Sequence, residues 1–209
     1  MTTQGSAVKI DDFLRAEGFD SEEALHEGRV ALERNGLTRP GKTGFVAEKL
    51  PRARDVLARD VLRVCEGCRP VAPHDGRMQV EVTQPNCQLC RGSNNRRASA
   101  ISTAALARRS VSRVLVVGGT PAQHRDLRAL FAAAPVELRF VDGTQASHST
   151  KEAELNKRWA QLIVIWGPTP LRHSVSNLYT EEVYPGLKVI TVPRRGIEAL
   201  CAEITRALR

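Results

Sequence analysis

Aromatic residues are scarce in this 209-residue chain, at 4%. That scarcity argues against a protein that grips single strands by stacking successive bases on rows of rings. Long apolar runs are missing too, since the longest, Val114 to Val117 and Leu162 to Trp166, fall far short of a bilayer span. No G-x-G-x-x-G appears after a strand, and no nucleophile stands at a recognisable spacing from a base, so neither a dinucleotide fingerprint nor covalent catalysis can be assigned. The opening residues carry no secretory leader, from which a reducing, cytoplasmic setting and no membrane partner are expected. Acidic residues are absent from 91–113, a stretch that holds Arg91, Arg96, Arg97, Arg108, Arg109 and Arg113.

Four of the five cysteines are ordered. Cys65, Cys68, Cys87 and Cys90 form C-x2-C, an eighteen-residue insert and a second C-x2-C. This is the spacing of a four-cysteine zinc site, in which each pair offers two thiolates to one tetrahedral ion. Four thiolates leave no open position, so a structural Zn2+ is expected. The insert reads as a hairpin, Arg69 to Pro73 and Met78 to Thr83 about a His74-Asp75-Gly76 turn, which together with the knuckles would make a zinc ribbon or treble clef. Cys201 sits in a terminal amphipathic segment and reads as a small core residue.

Before the cysteines, the pattern predicts short helices. One covers Asp11 to Ala16 and ends at Gly18; a second is capped by Asp20 with Glu23 and stops at Gly36. A segment from Thr43 to Leu50 leads into a third helix from Pro51 to Val64. Gly36-Leu-Thr-Arg-Pro-Gly41-Lys42-Thr43 matches the P-loop pattern, yet it follows a capped helix where a buried strand is required. The alternative is a basic turn whose Arg39 and Lys42 touch phosphates as isolated charges. After the cysteines, Arg96 to Arg109 reads as a helix with Ala98, Ile101, Ala105 and Leu106 on its apolar side. With a net charge of +8, its arginines read either as a solvated linker face or as contacts to a nucleic-acid backbone, with Asn94 or Asn95 near bases.

From residue 113 onward, strand and helix alternate four times, which predicts an α/β fold with a small, Rossmann-like parallel sheet. The expected organisation is a helical N-terminal module (1–64), a four-cysteine zinc finger with a basic helix (65–112) and the α/β domain (113–209). In a parallel sheet the residues after each strand meet at one edge. Here they are Gly118 and Gly119, Asp142, Gly167, and Arg194 with Arg195, while His173 and Ser174 open a following helix. Glycines that admit a ligand to the backbone, an acid for a ribose hydroxyl and arginines for phosphate would make a nucleotide-like ligand site. Each also has an ordinary reading as a turn or cap.

Two resemblances follow. Short helices, the module with Cys87-Gln-Leu-Cys90 before Asn94-Asn95-Arg96-Arg97, and then a small α/β domain make a layout similar to that of the recombination mediator RecR. A Toprim domain of that family would place a glutamate after its first strand, where this chain has Gly118-Gly119, so the likeness is one of layout. Val114-Leu-Val-Val-Gly-Gly119, Val141-Asp-Gly143, Leu162-Ile-Val-Ile-Trp166, His173-Ser174 and Arg194-Arg195-Gly196 resemble a bacterial Rossmann-like family, domain of unknown function 2325. That resemblance implies an architecture and no particular reaction. The expected role is a zinc-containing, nucleic-acid-binding regulatory or accessory protein acting on DNA. The rival expectation is a nucleotide sensor or phosphate-processing enzyme at the strand-end crevice. Self-association into a homo-oligomer is a third.

Overall fold

The computed structural model describes residues 7–142, 149–167, 173–181 and 184–209. They divide into two compact units, one up to Ser93 and the other from Asn94 onward.

The N-terminal unit begins with β1 (Ala7–Lys9) and α1 (Ile10–Ala16), which presents Ile10, Phe13 and Leu14 to the core. Helix α2 (Glu22–Arg34) follows, capped by the Ser21 hydroxyl on the Ala24 N–H at 3.0 Å. Asp20, the expected cap, lies one residue too early and spends its carboxylate on a distant loop. Helix α2 closes with Gly36 N–H on Glu33 and Leu37 N–H on Leu32, and the chain turns into β2 (Gly44–Val46), antiparallel to β1. The P-loop-like segment is therefore a helix-to-strand connection. Its order is the reverse of the strand-to-helix turn that aims amides at phosphate. Arg39 and Lys42 are exposed on it.

Helix α3 (Leu50–Asp60) has Pro51 in its first turn, where a missing N–H costs nothing. It ends four residues before the expected Val64, because Val61–Val64 is strand β3. Its partner is β4 (Met78–Glu81), and the pairing is parallel, Val61 opposite Met78 through Val64 opposite Glu81. The expected hairpin does not form. Its expected first arm, Arg69 to Pro73, begins inside a 3-10 helix (Glu66–Val71) and forms no strand, and the insert is a crossover that returns the chain alongside β3. The four cysteines share one core with Ile10, Phe13, Phe19 and Leu32, so the cysteine module packs with the first helices within one unit. Side chains of this size each contribute roughly 1.5–3 kcal/mol when buried.

The C-terminal unit opens with α4 (Asn94–Arg108) and continues β5 (Arg113–Gly118), α5 (Pro121–Phe131), β6 (Glu137–Val141), α6 (Thr150–Trp159), β7 (Leu162–Trp166), α7 (His173–Thr180), β8 (Lys188–Val192) and α8 (Ile197–Ala207). The four strands make an all-parallel sheet in the order β6-β5-β7-β8. Strand alternation divides its side chains between two layers. Val114, Val116, Val164 and Trp166 pack with Leu106 of α4, Leu127 of α5 and Leu200, Cys201 and Ile204 of α8. Leu115, Val117, Ile163 and Ile165 face the other way, toward Ala153 of α6 and Val175 and Tyr179 of α7. Chain order reverses direction between β5 and β7, the point at which α/β sheets open a crevice at their carboxyl ends.

Candidate metal centre and neighbouring sites

Parallel pairing of β3 and β4 explains how the cysteines meet. Both strands run toward the same edge, so the residues that follow them, Cys65 after Val64 and the turn to Cys87 after Glu81, leave side by side. The ladder continues past the strands, with Val82 N–H on Val64 O at 3.0 Å and Gln88 N–H on Arg63 O at 2.9 Å. Gln88 also accepts the Arg63 N–H on Oε1 at 2.7 Å, tying the second knuckle to β3. Within the first knuckle, Cys68 and Arg69 N–H both reach Cys65 O; within the second, Arg91 N–H reaches Cys87 O.

All four sulfurs are buried and lie within 4.8 Å of one another. Cys65 Sγ and Cys90 Sγ are 3.8 Å apart, close to the edge of a tetrahedron drawn around an ion with bonds of about 2.3 Å. This is too long for a disulfide, whose S–S bond is about 2.05 Å. Burial raises the Cys68 thiol pKa, with further upward pushes from Cys65 and the charge on Cys87. Burial also works against the Cys87 thiolate, but main-chain N–H groups of Cys90, Cys65 and Leu89 outweigh it and bring that pKa down to about 7. Amides aimed at a sulfur are what a thiolate ligand needs. The donor set fits a metal ion held in a closed, all-sulfur shell.

Asp20 and Arg63 are the residues of this centre that sequence reasoning missed. Asp20 accepts the Thr83 N–H, the Thr83 hydroxyl and the Asn86 side-chain amide, the last at 2.6 Å, and so anchors the turn that leads into Cys87. Arg63 belongs to β3 instead of a helix, and alternation puts it on the same side of the strand as Val61, toward the main core. The β-branched Val61 and Val64 at the two ends of Val61-Leu-Arg-Val64 were the available signal for a strand.

The expected nucleic-acid contacts are distributed across the two units. Arg91 is exposed just past the second knuckle, with a left-handed φ of 49°. Arg96 and Arg108 are exposed on α4; Arg97 is half-buried and donates to Asn94 Oδ1 at 3.2 Å. Arg109 donates from Nε to Leu208 O at 2.9 Å and from Nη2 to Arg209 O at 2.7 Å, binding the end of α8. The buried side of α4 is Ser99, Ser102, Ala105 and Leu106, with smaller and more polar groups than the apolar side expected.

At the strand ends of the C-terminal unit, Gly118 and Gly119 are buried. A Cβ on Gly119 would lie 2.7 Å from Trp166 Cε3 and 3.1 Å from His124 Nε2. The close approach that the glycine pair permits is thus taken by an indole and an imidazole, which corrects the reading of an open cradle there. His124 Nε2 bonds Gly118 O at 2.8 Å, and Trp166 Nε1 donates to Arg194 O at 3.2 Å. Asp142 instead lines a depression of about 430 Å³ with His124, Arg128, Phe140, Glu152 and Asn156. Gly167 N–H bonds Val192 O at 3.1 Å, and Arg194 and Arg195 are exposed. His173 and Ser174 begin α7, with side chains outside the described residues.

No protein-family model matches this chain, and no curated protein or solved structure matches it. Among the described residues, no helix is long and apolar enough to cross a membrane.

Proposed function

We propose that the protein is a zinc-containing nucleic-acid-binding protein that acts on DNA in an accessory or regulatory role in the cytoplasm. The observation that carries this reading is the acid-free arginine run, with Arg91, Arg96 and Arg108 all exposed. Guanidinium groups bind phosphate oxygens with a rigid fork of donors, and displacing counterions from the duplex drives the association. Zn2+ is the ion best suited to four thiolates that leave no open position, so its role is structural. A doubly wound, Rossmann-like assignment for the C-terminal unit is supported by an all-parallel sheet covered by helices on both faces, with the β6-β5-β7-β8 order being the flavodoxin-like variant, and it agrees with the resemblance to the domain of unknown function 2325 family.

Fluorescence anisotropy with duplex, single-stranded and RNA probes tests this. Duplex affinity should fall steeply with salt. Replacing Arg91, Arg96 and Arg108 together by alanine should flatten the slope of log K against log salt by about one for each phosphate no longer neutralised. A flat salt response in the unaltered protein would sink the proposal.

The Asp142 depression favours a second reading, a nucleotide-ligand site on the C-terminal unit, with Asp142 on a ribose and Arg128 near phosphate. Nucleotide-dependent thermal stabilisation that disappears in Asp142→Ala supports that reading.

A further inference from the structure

Six arginines of the N-terminal unit are ion-paired with carboxylates. Arg63 is different. Its Nε is buried without a hydrogen-bond partner among the described residues, and its guanidinium carbon lies 5.1 Å from the centre of the Phe19 ring. A partly desolvated cation without a direct counter-charge is costly to keep, and proteins that retain one commonly use it.

Arg63 lines a depression of about 460 Å³ whose rim also carries Arg91, Gly18, Asn86, Gln88 and Glu17. The nearby acids are already engaged. Glu17 Oε1 accepts Arg54 Nε at 2.7 Å, and Asp20 holds Thr83 and Asn86. Gly18 has φ of +87°, and a Cβ there would project to 3.4 Å from Arg63 Nε and 3.3 Å from Asn86 Oδ1. The absence of a side chain at Gly18 keeps that wall of the depression low. Arg91 reaches the rim from a left-handed residue next to Cys90, a backbone state that non-glycine residues adopt at some cost.

We infer that this depression is an oxyanion site for a phosphoryl group, with Arg63 as its inner cation and Arg91 as its outer one. A phosphoryl group has enough terminal oxygens to engage two guanidinium forks, and the space exceeds what a lone carboxylate would fill. The site lies in the N-terminal unit and does not depend on the α4 arginines. It would take free phosphate, a phosphomonoester or a backbone phosphodiester through the same chemistry.

Zinc-loaded full-length protein is unfolded thermally in inorganic phosphate and in chloride at matched ionic strength, with metal content measured for each variant. Phosphate should raise the melting temperature saturably by several degrees, and Arg63→Met should abolish the rise. Without phosphate, Arg63→Met should melt at the same temperature or higher, because a partly buried cation with an unsatisfied Nε has been removed. Arg91→Ala, a surface change, should weaken phosphate binding roughly tenfold, the loss expected of one charge-assisted contact. A duplex oligonucleotide that competes with phosphate in the unaltered protein identifies the backbone as the source; absence of competition identifies a free phosphate or monoester. An equal phosphate response in all three proteins, or none in the unaltered one, overturns the inference. So does loss of metal from Arg63→Met without a differential phosphate response, since Arg63 would then serve the thiolates alone.

Discussion

Asp20 Oδ2 lies 3.1 Å from the main-chain nitrogen of Thr83, across 63 residues of sequence. Asp20 stands at the entrance to α2, and Thr83 opens the turn that carries the chain to Cys87. Through this contact the helical part of the N-terminal unit sets the position of the second cysteine pair. The four-cysteine cluster and the helices before it are therefore coupled through a carboxylate as well as through their shared core.

Asp20→Asn should lower the stability of the N-terminal unit by about 1–3 kcal/mol, because main-chain and hydroxyl donors lose a charged acceptor. The pH dependence should carry its signature. Burial raises the Asp20 pKa, but hydrogen bonds from Thr83 and Asn86 outweigh it and hold it below its ordinary 3.8. A depressed carboxylate contributes stability that is fully present above the unfolded value and is lost as pH falls through the folded value. The margin between the native protein and Asp20→Asn, followed by denaturant unfolding, should be constant near neutrality and shrink on acidification below 3.8. A margin independent of pH would exclude the clamp.

Removing the metal should unfold the N-terminal unit and spare the C-terminal one. Cys65, Cys68, Cys87 and Cys90 sit among the buried residues of the first core, and neither parallel-sheet core contains any of these four. Structural zinc contributes about 10–16 kcal/mol of apparent folding free energy in small domains. Metal analysis should give one ion per chain, and cobalt substitution should give the absorption of a tetrahedral thiolate site. Chelator should abolish one calorimetric transition. Retention of both transitions after complete metal loss would show that the ion is not structural.

Gly119→Ala should destabilise the C-terminal unit by about 1–3 kcal/mol through a left-handed backbone position and a steric conflict. Its φ is +83°, and the new methyl would meet Trp166 Cε3 at 2.7 Å. Tryptophan emission should shift as the indole is displaced. An unchanged melting temperature and spectrum would mean that the space beside Gly119 is open.

Arg108 and Arg109 are adjacent, yet their replacement should have different effects. Arg109 is held by the main-chain oxygens of Leu208 and Arg209, so Arg109→Ala should cost about 1 kcal/mol of stability and leave the salt dependence of DNA binding nearly unchanged. Arg108→Ala should leave stability intact and reduce the salt slope by about one. Equal effects of the two on binding would mean that the ties to the end of α8 are given up on binding.

The cysteine spacing and the strand-helix alternation after residue 113 were legible in the chain, because both are local patterns. Two C-x2-C pairs at this separation match a four-thiolate metal site, and apolar runs such as Val114 to Val117 and Leu162 to Trp166 suit strands buried on both faces. The pattern of α4 also put Arg97, Arg108 and Arg109 toward water; Arg108 and Arg109 are exposed, whereas Arg97 is half-buried. The contacts that decide the sites were not legible. Whether Met78–Glu81 turns back on its own insert or runs beside Val61–Val64 depends on which pairing buries Val61 and Val80 in the common core, a comparison made only when the chain is folded. Asp20 has the composition of a helix cap and becomes a loop anchor because Thr83 and Asn86 are brought to it from far along the sequence. Gly119 has the look of a ligand cradle and instead houses Trp166. Periodicity acts over a few residues and selects helix or strand; pairing partners, packed neighbours and unsatisfied donors such as Arg63 Nε arise from distances across the fold, so they were settled by tertiary packing.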